Sequence, residues 1–338
     1  MSLSSSANIL NRVSGHSASR WVFGIVAFAL SAWALVSQWD AVLSGVGQIG
    51  LGRTVLSGPG MLLGLTFGML SWRTLMRAMG SRLPVVDAAS MYFLGQIGKY
   101  VPGSLWPVAA QMELGKHYTI PRGRSATSIL LALCVSLTSG VAVVFCALPL
   151  LDTRTAQQSI WLLAVLPVLL AILYPPLLWR VLRKVPRLGP SLELGPTPRV
   201  RDIAEASLFS VLGWLAYGMH VWVLTTGLGP EHSGWKNVLV SAGAYAFAWV
   251  AGLLFFVLPA GAGARDLSLV VALAAVLPSH DGVAVAVLSR AVSVVCDVAV
   301  AGLSSVQTRH VRARWVASAR GADLTAPSVE TCRTERRR

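Results

Sequence analysis

Charge is scarce in this chain. Only 12% of its 338 residues are Asp, Glu, Lys or Arg, and acidic residues number 14 against 28 basic ones. So thin a polar complement cannot cover a soluble globular domain, and the hydrophobic fraction of 54% with a mean hydropathy of +0.64 points to a polytopic membrane protein. Cysteine is also sparse. Cys134, Cys146 and Cys296 sit in apolar stretches and Cys332 near the C-terminus, with no metal-ligand or disulfide-framework spacing, so they read as small apolar filler. Catalytic signatures are missing as well: there is no D-x-D pair, H-E-x-x-H, P-loop, G-x-S-x-G or dinucleotide fingerprint. His280 and Asp281 adjoin without a nucleophile. The expectation is a non-enzyme with no cofactor and no metal.

Long apolar runs are what the chain does have. Spanning lengths cover roughly 21–39, 58–79, 125–150, 159–180, 203–228 and 282–305, which predicts about six transmembrane helices. The run Trp21–Trp39 follows Arg12 and Arg20 without a small-residue cleavage site and reads as a retained signal anchor. Basic residues then set the topology. Only Arg53, Arg154 and Lys236 fall in the expected outer loops, Lys99, Arg265 and Arg290 lie within apolar sequence, and every other Lys and Arg falls in segments expected to face the cytoplasm. That asymmetry favours a multi-pass protein of the cytoplasmic membrane with both termini inside. The net charge of +14 is therefore mostly topological and requires no nucleic-acid partner. The predicted organisation is a cytoplasmic N-tail over 1–20, a transmembrane domain over 21–305, and a basic disordered cytoplasmic tail over 306–338. Arg309, Arg312 and Arg314 beside Trp315 in that tail suit anionic lipid headgroups.

Two apolar segments are broken. Gly98-Lys99-Tyr100-Val101-Pro102-Gly103-Ser104 interrupts 88–115, and Val257 to Asp266, with Pro259 and an Ala/Gly run, interrupts 237–278. Hydrocarbon cannot satisfy the backbone groups that a Pro-Gly break frees, so such breaks survive where protein or a wet cavity does so. Both segments read as broken, re-entrant hairpins, although 237–258 is long enough to span alone. Gly95 and Pro102 recur as Gly252 and Pro259 at the same offset of 157 residues, which suggests two copies over about 58–150 and 203–305. Three crossings separate the second span from the fifth, so the copies would be inverted, as in transporters whose discontinuous helices meet near the midplane.

The candidate site follows from these breaks. Lys99, Arg265 and Arg290 are intramembrane cations, which usually face a bundle interior or cavity. The alternatives are structural ion pairs or snorkelling, most readily for Arg265 beside Asp266. Pro102 and Gly103 open the first gap, Ser104 can cap the half-helix beyond it, and Tyr100 adjoins Lys99. Gln96 and Gln111 flank the same gap, with Glu113 further on, and can hydrogen-bond a headgroup or join helices. Tyr92, Tyr100 and Trp106 read by default as interface anchors. Arg290, Ser293 and Asp297 share one helical face, with Asp297 a partner for Lys99 or Arg290 or a proton carrier. His220 reads as a packed polar residue rather than a relay member.

The stretch from Gly95 to Trp106, with Pro259 to Asp266 downstream, resembles the lysylphosphatidylglycerol synthase transmembrane region, also called the flippase-like domain, over roughly 20–308. Where that family usually carries Glu after the Arg of the second motif, this chain has Asp266. In two-part members, the resemblance implies, the membrane region moves an aminoacylated phosphatidylglycerol outward after a cytoplasmic domain has made it. Residues 306–338 are far too few for such a domain, so the chain resembles the stand-alone members. The expected function is translocation of a phosphate-bearing lipid, such as an aminoacylated phosphatidylglycerol or a polyprenyl-linked lipid. The alternative is a lipid-binding membrane enzyme or an accessory subunit of a lipid or glycan transferase. The expected partner is an anionic phospholipid or lipid-linked substrate, with a homo-oligomer and a separate lipid-modifying enzyme left open.

Overall fold

The computed structural model describes residues 36–100, 106–150, 195–254 and 263–325. Among these are nine α-helices and no strand: α1 (Trp39–Ile49), α2 (Leu51–Ala78), α3 (Val85–Gln96), α4 (Trp106–Gly115), α5 (Arg122–Ala147), α6 (Val200–Thr225), α7 (Trp235–Leu254), α8 (Ala264–Leu273) and α9 (Ser279–Thr325). Four stretches are long and apolar enough to cross a membrane: Leu51–Ala78, Arg122–Leu150, Val200–Thr225 and Ser279–Gln307. They correspond to the expected spans at 58–79, 125–150, 203–228 and 282–305. The span at 159–180 and nearly all of that at 21–39 lie outside the described residues, as does the N-tail.

Two boundaries differ from expectation. Helix α2 begins at Leu51 and carries Pro59 inside it. One missing amide hydrogen bond does not end a helix whose neighbours satisfy the freed groups. Helix α9 continues to Thr325, so the backbone of 306–325 is helical where a disordered tail is expected. Ala- and Arg-rich sequence extends an already nucleated helix at little cost.

Helices α2 and α6 form the central pair, and their contacts fix an antiparallel arrangement. Near the start of α2, Arg53 donates to Thr226, just past the end of α6, at 2.8 Å. Near its end, Ser71 donates to the Ala206 carbonyl at 2.8 Å and Arg77 pairs with Glu205 at 2.9 Å. Small residues permit this closeness, since a Cβ on Gly60 would lie 2.8 Å from the backbone nitrogen of His220.

Each of the two hairpins is anchored at a different end of this pair. Arg73 donates to the Leu83 carbonyl at 3.0 Å and Arg124 to Ser81 at 2.9 Å, which ties the start of α3 to the Arg77 end. Glu113, near the end of α4, pairs with Lys116 at 2.5 Å and Arg122 at 3.8 Å, so α4 returns to that end. By contrast α7 starts, and α8 runs on into α9, at the Arg53 end: Trp222 donates to the His232 carbonyl at 3.2 Å and Gln48 to Asp281 at 2.6 Å.

The remaining packing is reciprocal. Helix α3 packs on α4 as α7 does on α8, α4 on α5 as α8 on α9, and α5 meets α7 as α9 meets α3. Two copies related by an approximate two-fold would produce this pattern. The outer faces of the helices are apolar, and polar side chains lie among the apolar residues of the interior. On α9 Val295 and Leu303 are 56% and 65% exposed, whereas Ser289, Ser293, Asp297 and Ser304 are buried. An apolar outside with the polar groups kept inside is what hydrocarbon solvent selects.

Candidate functional site: a charged seam between the hairpins

The first hairpin contributes Lys99 and Tyr100 from a short 3-10 turn, Ile97–Tyr100, that follows α3. Lys99 Nζ lies 2.6 Å from Asp297 Oδ2 on α9, and the Tyr100 hydroxyl donates to the same oxygen at 2.6 Å. Asp297 and Tyr100 are each only 4% exposed. One carboxylate therefore binds the turn that follows α3 to α9. Gly98 makes the tight geometry feasible, because a Cβ there would lie 3.0 Å from the Pro107 backbone nitrogen.

The second hairpin contributes Arg265 and Asp266 from the first turn of α8. Consecutive helical residues point about 100° apart, so the two do not pair with each other. Asp266 instead accepts from Arg290 on α9 at 2.8 Å and from the Gly263 amide at 3.2 Å, capping α8 as it anchors the arginine. Gly263 sits at φ 79°, a conformation that suits glycine. Arg265 Nη2 donates to the Tyr245 hydroxyl on α7 at 2.5 Å, with the guanidinium 4.8 Å from that ring's centroid. Tyr245 stacks on Tyr217 at 4.9 Å, and Trp214 and Trp249 complete an aromatic platform. Arg290 and Asp297 lie seven residues apart on one face of α9, which places the two groups side by side along that helix.

The expected residues thus sort clearly. Lys99, Tyr100, Arg265, Asp266, Arg290 and Asp297 are brought to one seam. Lys99 is the ion-pair partner of Asp297, and Arg290 is taken by Asp266. Asp266, despite being shorter than Glu, reaches a cation. Tyr100 is a buried hydrogen-bond donor rather than an interface anchor, and Tyr92 packs against Trp72 at 5.6 Å. Gln111 is fully buried against Gly95, and neither amide atom has a hydrogen-bond partner among the described residues. No described contact joins Gln111 or the half-buried Gln96 to the charged groups. Glu113 is engaged at the Arg77 end rather than at the seam. Pro102, Gly103 and Ser104, and Pro259 with the Ala/Gly run as far as Ala262, lie outside the described residues.

His220 is a packed junction. Its Nδ1 donates to the Ser57 carbonyl at 3.1 Å, and in the neutral ring Nε2 accepts from Ser289 at 3.0 Å, linking α2, α6 and α9. Tyr245 is the functional side chain that the sequence reading missed. A lone hydroxyl in the apolar stretch Ala244–Trp249 is a weak signal, and its role appears only once α8 folds back on α7.

That fold-back rests on Gly252, where a Cβ would lie 2.9 Å from the Cβ and 3.5 Å from the Cα of Arg265. Gly252→Val is expected to push α8 off α7 and to cost about 1–3 kcal/mol of overpacking. Thermal unfolding in detergent measures the loss, and an unchanged transition would refute the close contact.

A family model described as Lysylphosphatidylglycerol synthase TM region matches residues 16–301. No curated protein matches the chain. With its apolar helices and a match over most of its length, this multi-pass membrane protein belongs to the lysylphosphatidylglycerol synthase TM region family.

Proposed function

We propose that the protein moves a phosphate-bearing lipid between the leaflets of the cytoplasmic membrane, its headgroup passing through the charged seam while the tail stays in lipid. The observation that carries this reading is the meeting, among the described residues, of Lys99, Arg265 and Arg290 with two carboxylates between hairpins anchored at opposite ends of the bundle. The first hairpin is re-entrant in this reading, whereas α7, with 20 residues, is long enough to span alone. Helices α3 and α4, of 12 and 10 residues, would each extend only about 15–18 Å at 1.5 Å per residue, against a hydrocarbon core of about 30 Å.

The physical task is to lower one barrier. A phosphate in hydrocarbon loses its hydration, and fixed cations with hydroxyl dipoles replace part of it. Rocking of the inverted copies about the α2–α6 pair would open the seam to one leaflet and then the other. Orientation follows from the basic end, where Arg73, Arg77, Arg122 and Arg124 gather, which faces the cytoplasm in this proposal and leaves both termini there.

Vesicle reconstitution tests this directly. Purified protein in vesicles carrying a fluorescently labelled phosphatidylglycerol is expected to expose inner-leaflet label to an external quencher, at least about tenfold faster than protein-free vesicles, since unaided passage of a charged headgroup is costly. Label that stays in its original leaflet would overturn translocation and leave the seam as a holder of lipid substrate for another enzyme.

A further inference from the structure

Arg265 differs from the other two seam cations in having no carboxylate within ion-pairing distance among the described residues; its partner is the Tyr245 hydroxyl. Asp297 Oδ2 holds Lys99 and Tyr100, and Asp266 Oδ2 holds Arg290 and the Gly263 amide, so each carboxylate is committed to another partner. Among the described residues, three cations against two committed carboxylates leave the seam with a net charge of +1. Glu113, Glu205 and Asp281 are engaged at the ends of the bundle and cannot supply the missing anion.

We propose that Arg265, held on Tyr245, is the seat for a single phosphodiester, so that the protein selects lipid headgroups of net charge −1 and discriminates against cationic, aminoacylated ones. This rests on the reading that a headgroup enters the seam, and it names the class. A guanidinium offers five N–H donors in a planar fork. Here one is taken by Tyr245 and one face is covered by the ring, leaving donors for bidentate capture of a phosphate. The seat is pre-organised, because Tyr245 is 3% exposed and packed against Tyr217 and Trp214, the latter backed by Trp249. A lysyl ammonium would meet this positive field with both carboxylates already occupied. A phosphomonoester of charge −2 would overfill it.

Binding of the full-length protein in detergent discriminates these cases through its tryptophan fluorescence. The probes are phosphatidylglycerol, a polyprenyl phosphosugar, zwitterionic phosphatidylethanolamine and lysylphosphatidylglycerol. The two phosphodiester monoanions are expected to bind at least about tenfold more tightly than the other two; whichever of them binds more tightly identifies the source of the phosphate. Arg265→Gln should abolish the preference. Arg265→Lys should keep a reduced preference, and Tyr245→Phe should weaken it while retaining the ring; these two variants decide the matter if Arg265→Gln does not fold. Equal binding of lysylphosphatidylglycerol, or a preference that survives in the Arg265 variants unchanged, overturns the assignment. Leaflet exchange is read separately. Exchange without headgroup preference overturns this seat and leaves translocation standing, whereas preference without exchange does the reverse.

Discussion

Lys99→Gln is expected to slow leaflet exchange by at least about tenfold and to lower stability by about 3–5 kcal/mol, the usual loss when one partner of a buried ion pair is removed. Asp297, 4% exposed, would keep only the Tyr100 hydroxyl as a partner. Its unpaired carboxylate would also cancel the positive charge left on Arg265. Adding Asp297→Asn should restore both stability and most of the exchange, because two cations and one carboxylate then give the seam the same net charge of +1 that three cations and two carboxylates give the parent. Thermal unfolding and the quenching assay on the single and double variants measure the two effects. Exchange that remains lost in a fully stable double variant would mean that Lys99 touches the headgroup itself, and exchange at the wild-type rate in the single variant would remove Lys99 from the mechanism.

The second large effect is expected at Asp266. Asp266→Ala strands Arg290, whose side chain is 11% exposed and whose Nε has no partner among the described residues. It also uncaps the Gly263 amide. Breaking the pair costs about 3–5 kcal/mol and the lost cap about 1 kcal/mol more, so the unfolding midpoint should fall sharply. Asp266→Glu should stay within about 1 kcal/mol of the parent, since Glu at the same helical position completes the same capping arrangement. An Ala variant as stable as the parent would show that the Arg290 pair is solvated and structurally idle.

Much of this architecture is legible in residue order because a bilayer imposes so few solutions. Four apolar runs of spanning length become the four long apolar stretches, and the match of Gly95 with Gly252 anticipates their shared role, each packing against the second half of its own hairpin at Gln111 and Arg265. The rarity of charge makes Lys99, Arg265, Asp266, Arg290 and Asp297 conspicuous. What misleads is local rule-following. Tyr100 reads as an interface anchor because aromatic residues near a break usually are, yet a carboxylate 197 positions away claims its hydroxyl. At the offset of 157 residues that relates Gly95 to Gly252, the position corresponding to Asp297 is Gly140, which packs against the Trp214 ring and carries no charge.

By itself, the order of residues determined that the chain is a helical membrane protein with interrupted segments and a handful of intramembrane charges. Those properties follow from composition and run length, which water and hydrocarbon read one segment at a time. Only the tertiary structure decided the pairing: Lys99 and Tyr100 on Asp297, Arg290 on Asp266, and Arg265 on the Tyr245 hydroxyl. Pairing depends on which groups the antiparallel α2–α6 frame and the two opposed hairpins bring within 3 Å of one another. In a low-dielectric interior that proximity, rather than proximity in sequence, decides which charge is neutralised and which remains to draw a ligand.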